Sequence, residues 1–160
     1  PVDLTASEIS VRLGATWLTL EIIEEFMFEL FSTPRYCQWN IHVHYAQYTG
    51  EWNVEGKSYD RSNVKAYNTY GTGRVNGYKI MEETLNLRDV RIFDYIEDGN
   101  GMKTALLNKK ETAIAQGKQE LIKQAFADWI WSDPERREQL TKLYNEKFNS
   151  IRPASMTAAT

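Results

Sequence analysis

NKKETAIAQGKQELIKQAFADWIWSDPERREQLTKLYNEKFNSIRP, residues 108–153, carries the strongest helical periodicity in the chain and sets the fold class. Asn108 can cap a helix, and Glu111 stands where a capping-box partner belongs. Ile114, Leu121, Ile122, Ala125, Phe126 and Trp129 recur at helical spacing and predict one broad apolar face. Ser132-Asp133-Pro134 ends this helix and opens another, because Asp133 can cap and Pro134 suits a first helical turn. Leu140, Leu143, Tyr144, Phe148 and Ile151 give the second helix its stripe. The expectation is an αα-hairpin or a long bent helix.

Upstream, the periodicity changes from segment to segment. Thr5-Ala-Ser-Glu8 is a capping box and Gly14 a natural stop, which predicts a short helix over 6–13. Thr19 caps a second helix whose apolar face is Ile22, Ile23, Phe26, Met27, Leu30 and Phe31, ended by Thr33-Pro34. Residues 37–45 alternate: Cys37, Trp39, Ile41, Val43 and Tyr45 on one side, Gln38, Asn40, His42 and His44 on the other. That predicts a half-buried strand with Trp39 in the core, paired in a hairpin with Glu51 to Val54. Residues 55–69 read as a polar loop. Val75, Tyr78, Met81 and Leu85 predict a helix begun by Thr72 or Gly73 and ended by Asn86. Val90 to Ile96 and Lys103 to Leu107 flank Asp98-Gly-Asn-Gly101, a strong hairpin turn. The order contains no βαβ alternation. It predicts an α+β domain of antiparallel hairpins packed by helices. Residues 1–107 form its core, 108–153 a helical hairpin of the same domain, and 154–160 a tail or cloning scar.

One hundred and sixty residues suit one domain, and a hydrophobic fraction of 42% is enough to build a core. No apolar run approaches the length of a membrane span, and PVDLTASE is no signal peptide. The single Cys37 excludes an internal disulfide and fits a reducing, cytoplasmic setting. Both ends read as cut from something larger. Residues 1–100 carry 9 basic and 15 acidic residues, net −6; residues 101–160 carry 10 and 7, net +3. Such a balance does not suit a stand-alone nucleic-acid coat. Locally, however, Lys57, Arg61, Lys65, Arg74 and Lys79 face only Asp60 in the sequence.

The chemistry-bearing motifs are few. Gly71-Thr-Gly73-Arg-Val-Asn-Gly77 invites a phosphate-loop reading, but its spacing is GxGxxxG and no strand precedes it. A tight turn whose glycines let a helix start against the core is the more economical reading. An anion held at the helix N-terminus by Arg74 and Lys65 is the alternative. Arg74 in the first turn would oppose the helix dipole. There is no Walker motif and no (D/N)PP(Y/F) amino-methylase motif, since Pro134 is followed by Glu135. His42 and His44 share a strand face, with a carboxylate such as Glu51 nearby, yet no HExxH or Cys pair accompanies them; two solvent-facing histidines are expected, with no metal and no cofactor. Glu82 and Glu83 read as a solvated helix face. Trp129 and Trp131 could stack bases beside Arg136 and Arg137, or pack at the helix junction. The nucleic-acid candidates are therefore Arg61, Lys65, Arg74, Lys79, Trp131, Arg136 and Arg137, and no catalytic residue is assigned.

LNKKET, WIW, DPERRE and LYNE in the C-terminal stretch, YGTGRVNGYKIMEETLNLRDVRIFD (70–94) and SEISVRLGATW (7–17) resemble the segment upstream of the motor in large SNF-type helicase/DNA methylase proteins. Such proteins occur on bacterial plasmids, phages and integrative elements. The resemblance covers most of residues 1–153; after Pro153 the chain departs from it. It implies a non-catalytic accessory domain that positions or couples the motor on DNA, with DNA and the helicase and methylase domains of the same chain as partners, and no membrane. The alternative is a protein-interaction module that touches no nucleic acid.

Overall fold

The computed structural model describes residues 2–149. Its α-helices and strands are α1 (Leu20–Phe31), α2 (Arg35–Gln38), β1 (His42–Ala46), β2 (Glu51–Glu55), α3 (Gly77–Leu85), β3 (Phe93–Glu97), β4 (Lys103–Leu107), α4 (Lys109–Ile130) and α5 (Pro134–Tyr144), with π-helical segments at Lys65–Thr69, inside the stretch expected to be loop, and at Asn145–Asn149. Two separate antiparallel hairpins, β1–β2 and β3–β4, are combined with helices, so the fold is α+β as expected. Ile151 and residues 154–160 lie outside the described residues.

Local sequence sets the helix ends. The Thr19 hydroxyl accepts from the Ile22 N–H at 3.3 Å, Asn108 Oδ1 from Glu111 at 2.9 Å, and Asp133 Oδ2 from Arg136 at 2.8 Å. Each satisfies an N–H that the helix itself cannot. Ser32 closes α1 in the left-handed region, at φ 49°.

The core sits where α1, α3, α4 and the β1–β2 hairpin meet. Phe26 meets Phe126 edge-on at 5.1 Å, and Phe31 meets Tyr78 at 4.7 Å. Ile23, Met27, Ile80, Met81, Ile122 and Ile130 fill the space between them. The open edges of β1–β2 are covered by helix side chains rather than by further strands. Glu24 of α1 accepts from the Val43 N–H at 2.8 Å. On the other edge, Glu82 accepts from Val54 at 2.8 Å, while Asn86 bonds both the N–H and the carbonyl of Trp52. Glu82 and Asn86 are four apart on α3, so they meet every second residue of β2. α4 does the same for the extended chain before β3. Gln119 accepts from Val90, Gln116 donates to its carbonyl, and Thr112 accepts from Ile92.

Several expectations are corrected. The capping box at Thr5 is real, with Glu8 Oε1 accepting from the Thr5 N–H at 3.0 Å. It opens only a 3-10 turn, Ala6–Glu8, rather than a helix over 6–13. Residues 37–45 are not one strand. Pro34 starts a helical turn, Cys37 and Asn40 close it through 2.9 and 3.0 Å bonds, and the strand begins only at His42. Cys37 and Ile41 therefore point inward at helical spacing, and Trp39 is thrown outward at 81% exposure. Trp39→Ala is accordingly expected to leave the melting midpoint unchanged, within about 0.5 kcal/mol; a large loss would restore Trp39 to the core. α3 starts at the Asn76 cap, not at Thr72 or Gly73. α4 is rotated from its predicted face: Ile114 and Leu121 are exposed, and Thr112, Ala115, Gln119 and Ile130 are buried in their place. Glu82 is not solvated but 6% exposed.

The glycine-rich turn is explained by packing. A Cβ on Gly71 would stand 2.2 Å from the Ala66 carbonyl oxygen, and one on Gly77 2.7 Å from the Phe31 ring, whereas Gly73 faces open space. Gly71→Ala should cost about 1–3 kcal/mol through overpacking, and Gly73→Ala close to nothing. Equal losses at both positions in thermal melts would contradict this account.

Candidate nucleic-acid interface

The seven sequence-derived candidates fall into three places. Arg61 and Lys65 lie exposed on the segment between β2 and α3. Arg61 Nε donates to the Ser58 carbonyl at 3.2 Å and Lys65 Nζ to the Ser32 hydroxyl at 2.9 Å. Neither meets a carboxylate among the described residues.

Arg74 and Lys79 are held differently. Arg74 precedes α3, so it does not oppose the helix dipole. Its guanidinium donates to Asp94 at 2.8 Å and to the Phe93 carbonyl at 3.0 Å, tying the base of the β3–β4 hairpin to the core. That pair, with the Asn108 amide, holds the Asp94 carboxyl below its ordinary range. Lys79 bonds Glu82 at 3.0 Å and Glu83 at 3.2 Å. Burial pushes its pKa down, but the two carboxylates raise it overall. The expected continuous basic strip is thus two cations without carboxylate partners among the described residues, and two neutralised ones.

Trp131, Arg136 and Arg137 sit at the α4–α5 junction. Arg136 is built into it. Its guanidinium lies 3.5 Å from the centre of the Trp129 ring and donates to the Trp129 and Ile130 carbonyls, completing the C-terminus of α4. Trp129 also donates to Glu29 at 2.9 Å. One Trp129 face is covered, which removes it as an open stacking platform. Trp131 and Arg137 line a cleft of about 1000 Å³ between residues 3–7 and α5, together with Lys142 and Glu138. Asn145 closes one wall by bonding both the N–H and the carbonyl of Leu4.

His44 bonds Glu55 at 2.8 Å, and His42 bonds the Trp39 carbonyl at 2.8 Å. Among the described residues no group of three or more His, Cys, Asp or Glu is arranged to hold a metal. Buried Asp60 gathers Tyr78 at 2.9 Å, Asn63 at 2.6 Å and the Cys37 thiol at 3.7 Å. Burial and the Asp60 charge push the thiol pKa up, which disfavours a reactive thiolate.

A family model described as a domain of unknown function, DUF8437, matches residues 12–150. The chain belongs to the DUF8437 family. No curated protein and no solved structure matches it. Within the DUF8437 match lie α1 through α5 and both β-hairpins. No helix among its described residues is long and apolar enough to cross a membrane.

Sequence reasoning missed a surface that the DUF8437 fold assembles. Tyr36 and Trp39, on the α2 turn, are 74% and 81% exposed, and Tyr59 on the segment facing it is 53% exposed. The signal was present as aromatic residues in polar stretches. The strand reading of 37–45 concealed it by turning Trp39 inward.

Proposed function

We propose that this domain is a non-catalytic accessory module of a larger bacterial, cytoplasmic helicase/DNA methylase-type protein from mobile elements, and that it couples the motor to the rest of its chain on DNA. The observation that carries the coupling role is the β3–β4 arm. All of β4 is exposed, and so is β3 from Tyr95 onward. Tyr95 shows 69% of its surface on one face; Ile96 and Leu106 show 54% and 56% on the other. A two-stranded hairpin with both faces in water is marginal by itself, and apolar side chains on both faces suit a strand pair clasped by another domain. The resemblance to SNF-type helicase/methylase proteins supplies the partner: the motor or methylase portion of the same long chain.

The test is association in trans. The 160-residue chain should bind the motor-containing portion, and Ile96→Glu with Leu106→Glu should weaken that binding at least tenfold while leaving the melting curve in place. Undiminished binding by the double variant would remove the arm; no binding by either form would remove the coupling role.

One observation favours the scaffolding alternative. Ile114 and Leu121 stand exposed seven residues apart on α4, flanking Gly117. If that stripe serves self-association, light scattering will show a dimer that Leu121→Lys dissolves.

A further inference from the structure

Two segments without an exposed acid face each other beside β1. Residues 32–41 contain Arg35 and no carboxylate; residues 56–70 contain Lys57, Arg61 and Lys65 against Asp60 alone. Asp60 is 4% exposed and spends its charge on internal donors, and Lys57 is taken by Glu82 at 2.6 Å. What reaches solvent is therefore positive. The segments are held together by several bonds. Cys37 reaches Asp60, the Asn63 amide donates to the Phe31 carbonyl at 2.8 Å, Lys65 reaches Ser32, and Gly56 lies against the Asn40 carbonyl so closely that a Cβ would stand 2.0 Å away. On α2, Cys37 points inward, and residues 36 and 39, three apart on the turn, share the outer side. Tyr59 directly precedes Asp60, whose carboxylate meets the Cys37 thiol at 3.7 Å, so Tyr36 and Tyr59 stand on adjoining segments next to that contact.

Three exposed aromatic rings accompany cations that meet no carboxylate among the described residues, a combination that suits a ligand with flat faces and negative charge. Stacking on exposed rings suits unpaired bases, whose faces are free; a duplex presents none along its length. The neighbouring Arg35, Arg61 and Lys65 can neutralise phosphates, which a single strand carries alongside its bases. A protein partner of acidic, aromatic character would meet the same charge. However, Tyr36 and Trp39 present widely exposed planar faces on a turn closed by backbone bonds of 2.9 and 3.0 Å, which suits flat bases better than an irregular protein surface.

We propose that Tyr36, Trp39 and Tyr59, with Arg35, Arg61 and Lys65 around them, form a binding platform for single-stranded nucleic acid. The platform deepens the DNA-positioning role above and rests on that reading for its setting. The two fail separately, because the arm is tested by protein association and the platform by oligonucleotide affinity.

The probe is a labelled oligodeoxythymidylate of about 12 nucleotides, followed by anisotropy, with a duplex of equal length alongside. The 160-residue chain should bind the single strand in preference to the duplex. Trp39→Ala and Tyr36→Ala should each weaken binding roughly 5- to 100-fold, and Trp39→Phe should restore most of it. Arg61→Ala with Lys65→Ala should lower the salt slope by about 1.4, roughly 0.7 for each single-strand phosphate that is no longer neutralised. All these side chains are exposed, so the variants are expected to fold, which circular dichroism checks. No binding at low salt overturns the proposal. So does binding that falls with the charge variants but ignores the aromatic ones, and so does equal affinity for duplex. A Trp39-dependent dimer that binds no oligonucleotide would assign the patch to a protein instead.

Discussion

Phe126→Ala is expected to cost about 3–5 kcal/mol of stability. The ring is 2% exposed, edge-on to Phe26 at 5.1 Å, and it joins α4 to α1 across the centre of the fold. Alanine leaves a cavity that the two long helices cannot close without moving caps that hold them in place. In a domain of this size that loss is a fall in Tm of roughly 10 °C. The paired control is Leu121→Ala, five residues earlier and 52% exposed, which should change stability by less than about 0.5 kcal/mol. Calorimetry on the two variants decides which face of α4 is inward. Similar losses at both positions would favour the apolar stripe read from periodicity.

Glu82→Ala should cost about 2–4 kcal/mol, because one side chain satisfies three groups. Its carboxylate accepts from the Val54 N–H at 2.8 Å, Lys57 at 2.6 Å and Lys79 at 3.0 Å. Without it the Val54 N–H is buried and unpaired, and the β2 edge loses its cover. Burial by itself would push the Glu82 pKa up. Lys57, the Val54 N–H and Lys79 outweigh burial and hold it below the ordinary 4.5. A carboxyl whose folded pKa is depressed adds stability that is fully present above the unfolded value and is lost as pH falls through the folded one. The wild-type chain should therefore lose stability below about pH 4.5 more steeply than Glu82→Gln, which cannot titrate there. Parallel curves for the two proteins between pH 3 and 6 would show that Glu82 carries no such linkage.

The candidate surfaces were only partly legible from the sequence. Arg61 and Lys65 are as exposed as their polar neighbourhood implied. Arg74 and Lys79 were drawn into the same strip because a linear charge count cannot see Asp94, twenty residues on, or how Glu82 and Glu83 turn back toward Lys79. Arg136 read as a phosphate contact because nothing local reveals that it stacks on Trp129 and completes α4. The aromatic platform was hidden by one parity error: two-residue alternation across 37–45 fits a strand, but Pro34 had already committed residues 35–38 to a helical turn.

The sequence by itself determined what depends on neighbours in the chain. Thr19, Asn108 and Asp133 cap helices because each side chain reaches an N–H three residues away, and Asp98 to Gly101 turns a hairpin wherever it is placed. The α+β class follows from the order of those elements. Only the tertiary structure decided which face of each element is buried. Thr112, Gln116 and Gln119 turn inward on α4, although apolar Ile114 and Leu121 compete for that side, because the extended chain at Val90 and Ile92 carries backbone groups that lack strand partners there. Glu82 and Asn86 leave solvent for the same reason, to meet the open edge of β2. Burying an unpaired backbone group costs more than exposing a leucine. That comparison needs the position of a distant segment, which no local pattern contains.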